Sequence, residues 1–495
     1  MPCLRPFGED RERCFPIAQM VMWISEWTHR TRAGETSSDT LDMYQCKNTA
    51  IQQTYKVLDL PRTQPESSIS ATQEVSPEHQ ILPLKANLAQ YLHQTRPLSL
   101  KTAIMVTDTM GKVCIVGVGY VGEHLLEVFS HAHPTIGFDI SERRIKELNT
   151  KYGELEHVTL TTDEALLDQA QHYLISVPTL IKADHSVDFS FIKSALSTVF
   201  RHAKPGNTIV IESSVSVGTT RQLFSSVQHL FNCGMSPERV DPGRTFPAAC
   251  DIPKIISGLS PKAMTVITDL YSSVFNQVVP VSTPEVAEMT KLFENCYRMI
   301  NIAYVNEISD SCRKLGIDPN EMIDAAATKP YGFQAFRPGL GVGGHCIPVN
   351  PSYLFQTCPD LPILEESTKL MRDRPLRLAR ELHAHCSSTT LASTDLKPRV
   401  LVIGVGFKPG QSVISHSPGI DFATQLNELG CDRLCFYDPL VSQAQLSWME
   451  KLETADFTPE ELAADFDVIA ICNRQRGVDF NVLDQLPSEM VWSYD

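Results

Sequence analysis

The run Lys112-Val113-Cys114-Ile115-Val116-Gly117-Val118-Gly119-Tyr120-Val121-Gly122 constrains this chain more than any other. Its opening residues are mostly apolar, a pattern suited to a buried parallel strand. Three glycines spaced G-x-G-x-x-G follow, and then the helical segment Glu123-His124-Leu125-Leu126-Glu127-Val128-Phe129. A second strand-like run, Thr135-Ile136-Gly137-Phe138, ends on Asp139. A glycine triplet alone says little. Set between a strand and a helix, with an acid about twenty residues on, it predicts a dinucleotide-binding βαβ unit. Gly117, Gly119 and Gly122 permit the tight turn and let a pyrophosphate reach the helix N-terminus, beside Tyr120 and Val121. Asp139 would accept hydrogen bonds from the adenine ribose hydroxyls and repel a 2′-phosphate, which favours NAD over NADP.

The alternation of strand and helix continues. His172-Tyr173-Leu174-Ile175-Ser176-Val177 reads as a strand ending at Pro178-Thr179, and Thr208-Ile209-Val210-Ile211-Glu212 as another ending at Ser213-Ser214. Polar residues at the C-terminal ends of strands face the ligand crevice of an open α/β sheet. Thr179 and Ser214 are therefore candidates for the cofactor side, although hydroxyls there also cap helices. From residue 284 to 315 the apolar period becomes that of one long helix. Lys291, Asn295 and Arg298 stand at i, i+4 and i+7 and share a face among mainly apolar neighbours. Such a polar stripe is costly on a largely buried helix unless it meets a ligand or partner charges.

Next comes Gly339-Leu340-Gly341-Val342-Gly343-Gly344-His345-Cys346-Ile347-Pro348-Val349-Asn350-Pro351. In a helix or strand each of these glycines would cost about 0.5–1 kcal/mol relative to alanine, so the run predicts a tight loop that comes close to a ligand. Cys346 at its end is either a buried, inert thiol or a side chain aimed into a cleft. A helix is predicted at 376–385. A second α/β unit then opens with Arg399-Val400-Leu401-Val402-Ile403-Gly404-Val405-Gly406-Phe407-Lys408-Pro409-Gly410. It continues with a helix at 420–429 and strands at 433–437 and 466–471. This unit lacks the third glycine of a dinucleotide fingerprint and suits part of a substrate better than a second NAD.

The predicted fold is α/β, two Rossmann-like doubly wound parallel-sheet domains joined by a long central helix. The expected divisions are a poorly structured extension (1–110), a cofactor domain (111–283), a helical segment with the cysteine loop (284–390) and a C-terminal α/β domain (391–495). Residues 61–77 are rich in Ser, Gln, Glu and Pro and cannot bury enough apolar surface to order themselves. Helix-like patches stand at 17–27 and 84–92.

At 495 residues the chain is long enough for more than one domain, and 42% hydrophobic with 20% charged residues fits a globular protein in water. A net charge of −15 argues against a nucleic-acid partner, which needs a basic face. The 14 cysteines show no C-x-x-C pair and no metal-like Cys/His spacing, as expected of reduced thiols in the cytoplasm with no metal site. No apolar run reaches the roughly 18–20 residues that a membrane span requires, so no membrane partner is expected.

In this order the motifs resemble the UDP-glucose/GDP-mannose dehydrogenase family, from Lys112 onward. Further matches are Glu212-Ser213-Ser214-Val215-Ser216-Val217-Gly218-Thr219-Thr220, Pro237-Glu238-Arg239-Val240, the Lys291/Asn295/Arg298 stripe, the cysteine loop and Gly406-Phe407-Lys408-Pro409-Gly410. The loop together with Ala327-Thr328-Lys329-Pro330-Tyr331-Gly332-Phe333 resembles the branch acting on UDP-N-acetylhexosamines such as UDP-N-acetylmannosamine. The resemblance implies oxidation of a UDP-sugar C6 alcohol to a carboxylate by two hydride transfers to NAD. Cys346 would carry a thiohemiacetal and then a thioester, Lys291 would stabilise an oxyanion or relay its proton, and Asn295 would order a hydroxyl or water. Arg239, Val240, Arg298, Gly341, Phe407 and Lys408 match substrate-binding positions, and Arg144 a cofactor-binding one. The family also implies a homodimer or larger assembly built on the long helix.

Four positions depart from the family pattern. Asn350, among the catalytic candidates, stands where the family usually has an aspartate. Ser415 stands where an arginine reaches the cofactor phosphates; Ser214 replaces a threonine and keeps a hydroxyl, and beside it Ser216 replaces a proline, which is expected to loosen a turn. These changes leave two alternatives beside the leading reading: UDP-glucose as substrate, or a diverged relative that binds nucleotide sugar or NAD without completing the oxidation.

Overall fold

The computed structural model describes residues 111–182, 186–240, 246–388 and 397–494. The extension expected over 1–110, with its helix-like patches, lies outside the described residues. The first sheet is built from β1 (Val113–Val116), α1 (Tyr120–Ser130), β2 (Thr135–Phe138), α2 (Glu142–Tyr152), β3 (Val158–Thr161) and β4 (His172–Ile175). A short antiparallel ribbon, β5 (Leu180–Ile181) with β6 (Val187–Asp188), leads into α3 (Ser190–His202), β7 (Thr208–Ile211), α4 (Thr219–Phe224) and β8 (Asn232–Met235). The sheet is completed by β9 (Lys254–Gly258), α5 (Pro261–Ser272) and β10 (Val278–Pro280). Its order is β10-β9-β8-β7-β4-β1-β2-β3, parallel throughout except where β8 meets β9.

Successive strand residues point to opposite faces, and here both faces are covered. Cys114 and Val116 enter one core with Ile192, Leu196 and Val199 of α3. Val113 and Ile115 enter the other with Leu125, Leu126 and Phe129 of α1 and with Ile145 and Leu148 of α2. Each fully buried side chain of this kind contributes about 1.5–3 kcal/mol.

The long helix α6 (Pro284–Lys314) starts where Thr283 Oγ1 accepts from the Val286 amide and Pro284 occupies the first turn. It ends on Arg313 and Lys314, cations at the negative end of the helix dipole. After α7 (Pro319–Ala327) and α8 (Asn350–Thr357), α9 spans Pro362–Ser388, well beyond the expected 376–385. It runs through Pro375, whose missing N–H leaves the Met371 carbonyl without its helical partner. Packing and charge offset that loss. Buried Arg374 binds both Asp310 oxygens at 2.6 and 2.9 Å and the Gly339 carbonyl at 2.9 Å, tying α9 to α6 and to the cysteine loop.

The second sheet comprises β11 (Arg399–Ile403), α10 (Pro418–Leu429), β12 (Arg433–Tyr437), β13 (Glu450–Lys451), α11 (Pro459–Asp465), β14 (Val468–Ile471) and β15 (Val491–Ser493). It is parallel throughout, in the order β13-β12-β11-β14-β15. Val400 and Val402 pack against α9 and α10, while Leu401 and Ile403 pack against Leu462 of α11. The fold is thus α/β, two Rossmann-type sheets joined through a long helix. In this second unit Asp438, at the end of β12, is fully buried and accepts from Gly406 N at 3.0 Å, Leu440 N at 2.9 Å and Gln475 Nε2 at 3.1 Å. Its carboxylate is used inside the fold, so the missing third glycine is matched by the lack of an acid open to a second ribose. Among the described residues no helix is long and apolar enough to cross a membrane.

Candidate active site

The first βα turn keeps the shape a dinucleotide requires. Gly117 has φ +88°, and a Cβ on Gly122 would lie 1.9 Å from the Gly117 carbonyl oxygen, so neither position tolerates a side chain. No atom lies within 4 Å of the Cβ position that Gly119 lacks, and α1 begins there without a side-chain cap. An uncapped helix start beside open space is a cradle for a pyrophosphate. Tyr120, 43% exposed, borders it, with Val121 half-buried on the next position. Asp139 accepts from Val118 N at 3.0 Å and from Ser141 N at 2.9 Å, which leaves carboxylate lone pairs for ribose hydroxyls. Thr179 Oγ1 donates to the Ser214 carbonyl at 3.0 Å, so the two strand-end candidates meet on one side of the crevice. Arg144 donates to the Val118 carbonyl at 2.8 Å and to Glu123. These residues fit NAD as a resident cofactor.

The cysteine loop meets the α6 stripe. Lys291 and Asn295 are buried, and Arg298 donates to Asn295 Oδ1. Asn295 Nδ2 in turn donates to Asn350 Oδ1 at 2.5 Å, and the Asn350 backbone N–H donates to the Cys346 carbonyl at 3.0 Å. One chain of hydrogen bonds therefore runs from the stripe to the backbone of the cysteine. Burial pushes the Lys291 pKa down, and the Cys346 sulfur and the carboxylates of Glu238 and Glu294 oppose that without cancelling it. Cys346 itself is half-exposed. By contrast Cys233 and Cys296 are buried, and burial pushes both thiols up to about 12, where they are inert. Tyr353 of α8 reaches the Thr179 carbonyl at 3.0 Å, and burial followed by the nearby Cys346 sulfur raises its phenol to about 12.

Several of the loop glycines serve close packing. Gly344 has φ +86°, and a Cβ there would lie 2.7 Å from the Phe407 ring. Its amide donates to the His416 carbonyl at 3.1 Å, and Gly341 packs on Pro375 and Pro418. The loop is thereby pressed onto the C-terminal unit, with Phe407 as the contact and Lys408 Nζ 5.7 Å from that ring. Ser415 is exposed in the following segment, which is closed by Phe407 N to Val413 O at 3.0 Å. Ser216 does not loosen its turn. It is buried and donates to Gln356 Oε1 at 2.9 Å, fastening α8 to the first sheet.

Arg239 is already paired within the protein, although its side chain stays 27% exposed. Its guanidinium donates to Glu294 at 2.5 and 3.4 Å and to the Pro253 carbonyl at 2.8 Å. The Arg239 and Val240 amides both donate to Glu238 Oε1, at 2.7 and 2.8 Å. Glu238 Oε2 accepts from Lys254 at 2.9 Å, and the same ammonium donates to Glu212 at 2.7 Å, with Tyr271 closing the cluster on Glu212. Lys254 is only 2% exposed and so neutralises one of two buried carboxylates. Lys254→Met is expected to cost about 3–5 kcal/mol in urea unfolding, because it leaves uncompensated buried charge. Breaking the exposed Arg221–Glu285 pair should cost about 0–1 kcal/mol. A Lys254→Met loss no larger than that would mean that Glu212, which burial pushes up, is held protonated.

The residue patterns did not single out Glu238, Glu294, Tyr353 or Lys254 for the site. Glu238 lies inside a quoted motif and Glu294 is three residues from Lys291, so both carried a local signal. Tyr353 and Lys254 carried none, since only the tertiary fold brings them in.

Models of the UDP-glucose/GDP-mannose dehydrogenase family match the chain, the NAD-binding domain over residues 111–275 and the central domain over 285–373. The UDP-N-acetyl-D-glucosamine 6-dehydrogenase of Pseudomonas aeruginosa is 30% identical over 74% of this chain and 91% of its own length. The UDP-N-acetyl-D-mannosamine dehydrogenase of Campylobacter jejuni is 27% identical over 74% of this chain and 96% of its own. A UDP-D-ManNAc dehydrogenase structure from Pyrococcus horikoshii shares the fold with a TM-score of 0.68, at 24% identity over 77% of this chain and 93% of that one.

Proposed function

The chain belongs to the UDP-glucose/GDP-mannose dehydrogenase family and is an NAD-dependent oxidoreductase, and from that premise we propose that it oxidises the C6 hydroxyl of a UDP-N-acetylhexosamine to a carboxylate. The observation that carries this reading is the half-exposed Cys346 on a loop tied through Asn350 to Asn295 of α6, with its sulfur near enough to buried Lys291 to act on that charge. Relatives named for UDP-N-acetyl-D-mannosamine and UDP-N-acetyl-D-glucosamine support the acetylated sugar.

When bound, NAD would supply the hydride acceptor for both oxidations of C6. Lys291, held toward its neutral form by burial, takes the alcohol proton as the first hydride leaves. The Cys346 thiol adds to the resulting aldehyde as its proton passes to solvent, and the oxyanion formed there is met by Lys291 and the Asn295 amide. Loss of the second hydride leaves a thioester, and water hydrolyses it to release the carboxylate and the thiol. Gly117, Gly119, Tyr120, Val121, Gly122, Asp139, Thr179 and Ser214 hold the cofactor in this reading, and Arg144 braces the glycine turn through the Val118 carbonyl. Phe407 and Lys408 hold the nucleotide of the substrate, with Arg298 and Gly341 beside the sugar. Arg239 and Val240 join them only if Arg239 leaves Glu294.

Asn350 and Ser415 favour a second reading, a relative that binds these ligands without completing the oxidation. NADH release from purified protein with a panel of UDP-sugars, UDP-glucose included, separates the two. Two NADH per UDP-N-acetylmannosamine or UDP-N-acetylglucosamine is the expected result. Binding of NAD or UDP-sugar without turnover of any panel member would establish the second reading instead.

The protein is proposed to act in the cytoplasm as a homodimer, which fractionation and sedimentation test. Val286, Met289, Phe293, Tyr297 and Tyr304 form an exposed apolar stripe along α6, at 37–66% exposure. A groove of about 370 Å³ beside Val217 lies at its start. A stripe of this length on one helix face suits a second copy of the same helix. Phe293→Glu is expected to shift sedimentation to the monomer, and an unchanged dimer would exclude this face.

A further inference from the structure

We propose that Glu123 sets cofactor specificity by holding Arg144 and Lys151 away from the 2′ position of the adenine ribose, so that two acids refuse NADP rather than Asp139 alone. The inference rests on the reading of Asp139 as the ribose acceptor. Both side chains converge on one residue of the glycine turn. The Val118 amide donates to Asp139 Oδ2 at 3.0 Å, and the Val118 carbonyl accepts from Arg144 Nε at 2.8 Å. Arg144 also sits in the first turn of α2, where its amide donates to the capping Ser141 hydroxyl at 3.3 Å. A phosphate on the ribose 2′ oxygen would thus approach a helix N-terminus and a guanidinium. Arginine is the side chain best shaped to clamp it.

In this chain the clamp is engaged elsewhere. Arg144 Nη2 donates to Glu123 Oε2, and its Nη1 lies 3.3 Å from Glu147. The second Glu123 oxygen accepts from Lys151 Nζ at 2.8 Å and from the Tyr152 hydroxyl at 3.3 Å. Burial works against the Glu123 charge, but the Lys151 and Arg144 hydrogen bonds prevail and hold its carboxyl below the usual range. One ionised side chain on α1 therefore occupies two cations of α2. Exposed Arg143, in the same turn, stays in place in every variant below.

The test measures binding of 5′-AMP and of adenosine 2′,5′-bisphosphate to the full chain by calorimetry. Wild type, Asp139→Ser, Glu123→Leu and the double variant are compared. Asp139→Ser should raise affinity for the bisphosphate relative to 5′-AMP, and adding Glu123→Leu should raise that ratio by about tenfold more. Retained 5′-AMP binding shows that the turn is intact. Glu123→Gln keeps the shape, removes the charge and should move the ratio the same way, which covers a Glu123→Leu variant that fails to fold. If Asp139→Ser shifts the ratio and neither Glu123 variant adds to it, this inference is wrong and the ribose reading stands. If Asp139→Ser shifts nothing, the ribose reading fails and takes this inference with it.

Discussion

Replacing Cys346 by alanine is expected to slow carboxylate formation on the order of 10³-fold or more, about 4 kcal/mol of barrier. The first hydride transfer needs the alcohol, the cofactor and a base, and the variant keeps Lys291 and the Asn295–Asn350 chain. The second needs a donor carbon fixed against the cofactor. An aldehyde released to water hydrates and tumbles, whereas a thiohemiacetal on Cys346 stays aligned. The yield should therefore fall from two NADH per sugar to one or fewer, with aldehyde recovered in the quench. Stability should change by less than about 1 kcal/mol, because Cys346 is half-exposed and its structural hydrogen bond uses the backbone carbonyl. That split separates a nucleophile from a packing residue, whose loss would lower stability and leave the stoichiometry at two. A variant still yielding two NADH per sugar at the wild-type rate would remove the thioester route.

Much of this site was legible because its signals are local. The first turn is written in three glycines, and a Cβ on Gly122 placed 1.9 Å from the Gly117 carbonyl explains why no substitute fits. The Lys291, Asn295 and Arg298 stripe follows from helical period alone, and α6 brings all three to one place. Two Rossmann-type sheets also follow from short apolar runs that alternate with helical segments.

What stayed hidden depends on register between distant segments. Glu212 directly follows β7, Glu238 follows β8 and Lys254 starts β9. Only the lateral order of those strands makes one ammonium serve two carboxylates. The cysteine-loop glycines looked like room for a ligand, yet Gly344 is small because Phe407, sixty-three residues on, lies against it. The α9 boundary failed for a similar reason. Pro375 argues locally for a break, and the Arg374–Asp310 pair that offsets it spans two helices. Ser216 shows the converse, a loss of local stiffness balanced by a hydrogen bond to Gln356 that no spacing announces.

Asn350→Asp is expected to raise kcat about tenfold or more at alkaline pH and to move the acid limb of the pH profile upward by about one unit. Asn350 is buried on Asn295, one helical turn from Lys291. An amide there orders water but accepts no proton, so in the proposed mechanism Asn350 itself gives thioester hydrolysis no base. In the wild-type protein under turnover, mass spectrometry should therefore find sugar bound to Cys346, and Asn350→Asp should clear it. The same charge also acts on Lys291. Burial pushes the pKa of that amine down, and a new carboxylate near it would favour the ammonium. In the proposed mechanism Lys291 takes the alcohol proton in the first step, so raising its pKa would move the activity limb to higher pH. Below the limb, a one-unit shift costs about a factor of ten in neutral amine, which cancels the hydrolytic gain. Above it, only the gain remains. The ratio of variant to wild-type rates should consequently climb with pH, and a flat ratio with no adduct on wild-type Cys346 would show that Asn350 limits neither step.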